Sequence, residues 1–264
     1  MTIRNELINE ICAERNIKVE YLSKDYILQL TKDNQSRHIF GPYWGINSAT
    51  ADRLACDKAG CYTILNLCQV PAIEHIIMYN PIRWGYLLDN DGTMINALAY
   101  LEKHGHVVVK PNCGAQGRDV CFCKTPLELE QAMHKIFLTE PDIALCPYYE
   151  IHTEYRVFFL NGHVHYIYGK VKGENGKHNL SLGARAFELN DKELQVRLAE
   201  LAIQAANSIN INFATIDIAA LDNNDLAVLE INSGVQAQIL LEQMPHLRGI
   251  IKAMYAEAVE GMFG

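Results

Sequence analysis

No C-x-x-C pair occurs among the eight cysteines, Cys12, Cys56, Cys61, Cys68, Cys113, Cys121, Cys123 and Cys146, so zinc-site spacing is absent and most are expected to be buried thiols. No stretch approaches the ~18 apolar residues of a membrane span. Met1 to Glu10 carries charges where a secretory leader needs an apolar run, so a cytoplasmic protein that binds no membrane is expected. An excess of basic residues is also lacking. Lys and Arg number 23 against 31 Asp and Glu, a formal charge of −8, which argues against a general nucleic-acid binder but leaves room for a local basic pocket. Long Ser, Gly, Pro or Gln tracts are missing too, so each segment should be ordered. With 264 residues, 49% of them hydrophobic, the chain can bury a core as one large domain or two small lobes.

The spacing of Ile3, Leu7, Ile8 and Ile11 predicts a helix over 2–15, followed by short strands at Ile17–Tyr21 and Tyr26–Leu30. Gly41-Pro42-Tyr43-Trp44-Gly45 punctuates the chain, and Ser48 or Thr50 caps a helix expected from Ala51 to Cys68. Pro71 leads to a strand near Ile73–Met78, an irregular loop covers Tyr79 to Asp91, and Asp91 caps a helix through Lys103. Val107–Lys110 and Val120–Cys123 read as strands around a glycine-bearing loop, Asn112–Asp119. Thr125-Pro126 opens a helix to Phe137, and Ile143–Pro147 is the next strand. Asn161-Gly162 turns a hairpin between Tyr155–Leu160 and Val164–Lys170. After a polar stretch, Asp191 starts a helix. A second hairpin, Ala214–Ala220 with Leu226–Ile231 around Asp222-Asn223-Asn224-Asp225, precedes one or two closing helices. The fold class is α+β, with antiparallel hairpins backed by helices.

Asp217 and Glu230 interrupt apolar strands, where a charge is costly unless it is paired or metal-bound. Side chains alternate along a strand, so Glu230 and Asn232 share a face and can meet Asp217 across the hairpin. Two carboxylates and an amide oxygen suit Mg²⁺; solvated acids on an exposed face are the alternative. Lys110 ends an apolar strand before Asn112-Cys113-Gly114-Ala115-Gln116-Gly117-Arg118, whose glycines let N–H groups approach phosphate, although the loop matches neither a P-loop nor a Rossmann fingerprint. Cys146-Pro147-Tyr148-Tyr149-Glu150, leading to Glu154-Tyr155-Arg156, is either a hinge for an adenine and its ribose or a connector with packed tyrosines. His163 and His165 share a strand face but lack a third ligand, and Cys121 and Cys123 fit a core or lid role better than a redox pair.

In this order the elements resemble the ATP-grasp superfamily, especially its glutathione synthetase and RimK-type branch, over residues 47–234. Asn47-Ser48, Asp57-Lys58 and Gln69-Val70-Pro71-Ala72 resemble the family's N-S…D-K…G-V-P. Lys110-Pro111 with Gly114 and Gly117 is similar to K-P-x-x-G-x-x-G, Glu154-x-Arg156 to D-x-R or E-x-R, Lys177-His178-Asn179 to R-x-N, and Asp217 with Glu230-Ile231-Asn232 to D…E-x-N. Departures are a first domain cut to about 40 residues, Gly183-Ala184 for a double glycine, and Lys177 for an arginine, which keeps charge without a bidentate fork.

The resemblance implies an ATP-grasp fold, two α+β lobes gripping the nucleotide, with a short N-terminal unit at 1–46 and the ATP-grasp domain at 47–264, its small lobe at about 72–147 and its large lobe at about 148–264. It implies ATP with Mg²⁺, or Mn²⁺, held by Asp217, Glu230 and Asn232. Nucleotide contacts fall on Lys110, Gly114, Gln116, Gly117, Tyr148, Tyr149, Glu150, Glu154 and Lys177, and catalytic roles on Arg156, Asn179 and Lys177. The implied reaction is carboxylate–amine ligation through an acylphosphate, with a small molecule or peptide bearing the carboxylate, an amine acceptor, no nucleic acid, and a homodimer compatible with the rest. A small-molecule kinase of the same fold, or a nucleotide-binding module without catalysis, are the competing readings.

Overall fold

The computed structural model describes residues 1–264 apart from 25, 86–92, 115–116, 175–177 and 223–224. Thr2 accepts a hydrogen bond from the Asn5 amide and starts α1 (Ile3–Glu14), which buries Leu7, Ile8, Ile11 and Cys12. Three antiparallel strands follow, β1 (Lys18–Leu22), β2 (Ile27–Lys32) and β3 (Gln35–Phe40), side by side in chain order. The third is absent from the sequence reading, because only Ile39 of its six residues is buried and no apolar alternation marks it. Its signal is the turn: Asp33 and Asn34 both take positive φ, 47° and 62°, as a tight two-residue hairpin requires.

The helix expected over Ala51–Cys68 is two helices, α2 (Ala49–Cys56) and α3 (Lys58–Leu67). Asp57 is extended between them (φ −89°, ψ 102°), and its carboxylate accepts from the Gly60 amide at 2.8 Å, capping α3 as Ser48 caps α2. An aspartate that satisfies the orphan amides of a new helix favours restarting over continuing. The strand after Pro71 also starts late, as β4 (Ile76–Tyr79), because Ile73 and Pro71 bond instead to Val228, each at 2.9 Å. Asn80 then caps a short helix, α4 (Pro81–Trp84), within the segment read as irregular, and α5 spans Thr93–His104. Asn90 of that segment, the expected cap Asp91 and the turn residues Asn223-Asn224 lie outside the described residues.

Next come β5 (Val107–Pro111), β6 (Cys121–Cys123), α6 (Pro126–Phe137) and β7 (Asp142–Pro147). With β4 they form an antiparallel sheet in the order β4-β7-β5-β6. Leu101 from α5 and Leu129, Met133 and Ile136 from α6 pack with its Val107, Val109, Ile143 and Leu145. Thr125 and Glu128 close a reciprocal capping box on α6.

A five-stranded antiparallel sheet, β10-β9-β8-β11-β12, is built from β8 (Thr153–Leu160), β9 (His163–Val171), β10 (Arg185–Glu188), β11 (Phe213–Ala220) and β12 (Leu226–Asn232). Asn161 and Gly162 turn its first hairpin at φ 49° and 86°. The β10 strand was not expected. Gly169 makes room for it, since a Cβ there would lie 2.1 Å from the Phe187 ring. Alternation divides β8: Val157 and Phe159 pack with α7 (Lys192–Ser208), while Phe158 and Leu160 join α1, Trp44 and α9 (Arg248–Gly261), which follows α8 (Gln238–Gln243). The opening unit therefore shares a core with the end of the chain. Ile73, Cys146 and Ala227, with Val108 and Leu229, join the two larger sheets. Among the described residues, no helix is long and apolar enough to cross a membrane.

Candidate functional site

The strand register sets the site. Asp217 on β11 lies between Arg156 on β8 and Glu230 on β12, with Thr215 opposite Asn232, and Glu154 lies opposite Lys170 of β9. The face that is apolar at Phe158, Tyr168 and Phe213 thus becomes charged toward Arg156, Glu154, Lys170 and Asp217. Arg156 donates to both Asp217 oxygens, Nε to Oδ1 at 2.8 Å and Nη2 to Oδ2 at 2.5 Å. Lys170 Nζ bridges Asp217 Oδ1 at 3.1 Å and Glu154 Oε2 at 2.9 Å, and His178 Nδ1 stands 3.4 Å from Glu154 Oε1. Asn232 Nδ2 reaches Asp217 Oδ2 at 3.4 Å and Glu230 Oε1 at 3.1 Å.

Burial pushes the Asp217 carboxyl up, but the Arg156 and Lys170 charges overrule it and hold it below the ordinary carboxylate range. Burial works against Lys170 and Arg156 as well, and Asp217 reverses it, raising both. Glu154 is lowered despite burial by His178 and Lys170. Asp217, Arg156, Lys170 and Glu154 are each held in the charged form, with each buried charge compensated by a neighbour.

The donor set suits a hard divalent cation. Asp217 Oδ2 keeps a lone pair beyond the one facing Arg156, Glu230 offers a half-buried carboxylate beside it, and turning the Asn232 amide presents Oδ1 to both. Among the described residues, no group of three or more His, Cys, Asp or Glu side chains is placed to hold a metal ion. His165 instead faces Glu257 at 3.5 Å.

Near the Glu230 end of this cluster is a second cationic edge. Lys58, placed by the Asp57 cap, donates from Nζ to the Gly114 carbonyl at 2.7 Å and to the Asn112 carbonyl at 3.3 Å. Burial lowers its pKa, Glu230 raises it and Lys110 lowers it again, so Lys58 lies near both the acid and the second lysine. Lys110 is half-buried on β5, and its ammonium has no hydrogen bond or ion pair to any described residue. In the loop beyond it, Gly114 packs so closely that a Cβ would meet Pro111 at 3.0 Å, and Gly117 takes φ 68°. Neighbouring lysines and close-approach glycines make an edge suited to phosphate oxygens.

The fold therefore brings together Glu154, Arg156, Asp217, Glu230 and Asn232, and Lys58 connects Lys110 and Gly114 to the Glu230 end. Asn179 is used otherwise: its side-chain oxygen accepts from Ser181 N at 2.9 Å and Ser181 Oγ at 2.7 Å, capping a 3₁₀ turn at Leu180–Leu182. Tyr148 stacks on His106, ring centroids 4.0 Å apart, and its amide donates to the His106 carbonyl at 3.0 Å, while Tyr149 and Glu150 are exposed. Gln116 and Lys177 lie outside the described residues. Lys170 and His178 were not singled out as site residues by sequence. A lysine beside Gly169 in an apolar strand was the available signal for Lys170, and Asp57-Lys58 for the second cationic edge.

A family model described as the RimK-like ATP-grasp domain matches residues 87–246. The tetrahydromethanopterin:alpha-L-glutamate ligase of Methanocaldococcus jannaschii is 25% identical over 147 residues, 52% of this chain; the match spans about half, 48%, of that relative's length. Among solved structures, D-alanyl-alanine synthetase A from Vibrio cholerae superposes with a TM-score of 0.68 at 12% identity, covering 97% of this chain and 92% of the other. D-alanine–D-alanine ligase from Bacillus anthracis gives a TM-score of 0.62 at 17% identity, covering 82% and 69%. These structural likenesses establish the shared fold.

Proposed function

The chain belongs to the RimK-like ATP-grasp family, and on that premise we propose that it is an ATP-dependent carboxylate–amine ligase, forming an amide through an acylphosphate and releasing ADP and phosphate. The observation that carries the reading is the ion row Arg156–Asp217–Glu230 with Lys170, together with Lys58, which lies near Glu230 and Lys110 and holds the glycine loop at Gly114. Four cationic side chains that are not metal ligands, Arg156, Lys170, Lys58 and Lys110, gather around this row, the arrangement that transfer of a polyanionic phosphoryl group needs.

In this reading Lys110, Lys58 and the amides near Gly114, Gln116 and Gly117 hold the phosphates, joined by Lys177. The segment from Cys146 to Glu150 borders the adenine, and Glu154, fixed by Lys170 and His178, takes the ribose. Asp217, Glu230 and Asn232 hold Mg²⁺, or Mn²⁺, which when bound neutralises phosphate charge. Arg156 is fixed by Asp217 with its guanidinium already oriented, so it meets the acyl oxygen or transferred group without reorganisation. Asn179 stays a candidate at the acyl side, where release from Ser181 would free its amide. The acid is a small molecule or peptide, and the M. jannaschii relative's name suggests an amino acid such as glutamate as the amine. Residues 1–46 are read as a short N-terminal unit, about 72–147 as the small lobe and about 148–264 as the large lobe, in a cytoplasmic enzyme.

A screen of acid and amine pairs with Mg·ATP tests the reading: ADP, phosphate and a new amide should appear together. A phosphorylated acceptor with ADP and no phosphate would replace ligase with kinase.

A further inference from the structure

Two free thiols meet at the corner where α2 gives way to α3. Cys56 ends α2 and is exposed, Cys113 is half-buried in the loop after β5, and the two thiols are close enough for each to shift the other's titration. The backbone enforces the meeting. Asp57 breaks the helix, the Lys58 amide donates to the Asn112 carbonyl at 3.3 Å, and the Ala59 amide donates to Asn112 Oδ1 at 3.1 Å, with Asn112 itself fully buried. Cys56 and Cys113 flank this clasp. The Lys58 ammonium donates to the carbonyls of Asn112 and Gly114, one residue to either side of Cys113.

We propose that Cys56 and Cys113 form a reversible disulfide that pins the Lys58 ammonium onto those two carbonyls and weakens binding of a nucleoside triphosphate. The effect on binding rests on Lys58 being a phosphate contact, as in the function proposed above; formation of the bond does not.

The two thiols have unequal chemistry. Coupling to Cys113 brings Cys56 down to about 6 against the effect of burial, with Arg53 and Lys58 adding to the drop, while Cys113 is pushed up. Cys56 is thus a solvent-reachable thiolate at neutral pH and Cys113 the resolving thiol. With a small disulfide such as oxidised glutathione, the Cys56 thiolate attacks one sulfur and expels one glutathione thiolate. Cys113 then gives its proton to solvent and displaces the second glutathione thiolate from Cys56. The protein loses two electrons and the Cys113 proton, Cys56 being already deprotonated, and the two expelled glutathione thiolates take up protons from solvent to become reduced glutathione. Cys12, Cys61, Cys123 and Cys146 are buried away from such an oxidant.

The test uses the whole chain in mixtures of reduced and oxidised glutathione, with thiol counting, non-reducing peptide mass mapping, and Mg·ATP affinity by calorimetry. Two of the eight thiols should disappear as a Cys56–Cys113 cross-linked peptide forms. The ATP Kd should rise about tenfold, the loss of one charge-assisted phosphate contact, and recover with dithiothreitol. Cys56→Ser should bind ATP like the reduced parent and lose the response to oxidant. A different linkage, or Cys56 arrested as a mixed disulfide, overturns the disulfide. A cross-linked protein with unchanged Kd overturns its effect through Lys58. If the reduced parent binds no ATP, the ligase reading and the effect on binding both fall, while thiol count and mapping still decide the bond.

Discussion

Arg156 grips Asp217 by both carboxylate oxygens, at 2.8 and 2.5 Å, and Lys170 takes the same acid from the next strand at 3.1 Å. Asp217 is therefore a structural keystone as well as a candidate metal ligand. Asp217→Asn leaves two cations, on Arg156 and Lys170, without their shared anion, and should cost about 3–5 kcal/mol of stability. Chemical denaturation measures this as a lower midpoint, alongside loss of ADP formation. An unchanged midpoint would show that the ion row does not hold the sheet.

Glu230 gives the cleaner test of the cation site. It is half-buried, and Asn232 is its hydrogen-bond donor among the described residues. Glu230→Gln keeps its shape and should leave stability within about 1 kcal/mol while lowering ADP formation on the order of a hundredfold. A thermal melt and a coupled ADP assay on one preparation separate the two effects.

Lys110 and Lys58 should act on nucleotide binding. Lys110→Ala removes a cation that no described group pairs with, so folding should be untouched and the KM for ATP should rise about tenfold with a smaller change in kcat. Lys58→Met should raise KM similarly, and because it also releases the Gly114 carbonyl it should speed proteolysis of the loop after β5. Equal losses of kcat and kcat/KM for Lys110→Ala would move that lysine from binding to the transition state.

The ion row sets the pH range of stability. Asp217 lies below its ordinary 3.8, with the Arg156 and Lys170 charges outweighing burial, so its contribution is full above 3.8 and is lost as pH falls through the folded value. Lys170 lies above its ordinary 10.5, with Asp217 outweighing burial, so its contribution is full below 10.5 and is lost as pH rises through the folded value. Urea midpoints should therefore fall more steeply for the parent than for Asp217→Asn between about pH 5 and about pH 2. Parallel curves would contradict the linkage.

The parts of this molecule legible in its sequence are those with a strong local code. Asn161-Gly162, the Thr125-Pro126 cap and the alternation around Asp217 and Glu230 each specify structure within a few residues, and each is present as expected. The helix break at Asp57 has a local code too, yet the apolar period of Leu54, Cys61, Ile64 and Leu65 runs through it and masks the cap. Strands β3 and β10 are edge strands whose residues are mostly not buried, so their existence depends on partners distant from pattern. Lys170 and Lys58 escaped for another reason. A lysine becomes a site residue through what faces it, and Asp217 lies 47 positions from Lys170, while Gly114 lies 56 from Lys58.

The central claim is that this cleft joins a carboxylate to an amine at the expense of ATP. With the acid labelled by ¹⁸O in its carboxylate, an amine acceptor and Mg·ATP, mass spectrometry of the products reads the claim directly. Ligation through an acylphosphate predicts ADP, phosphate and amide in equal amounts, with one ¹⁸O carried from the acid into the phosphate. Unlabelled phosphate, or ADP accompanied by a phosphorylated acceptor and no amide, would contradict it.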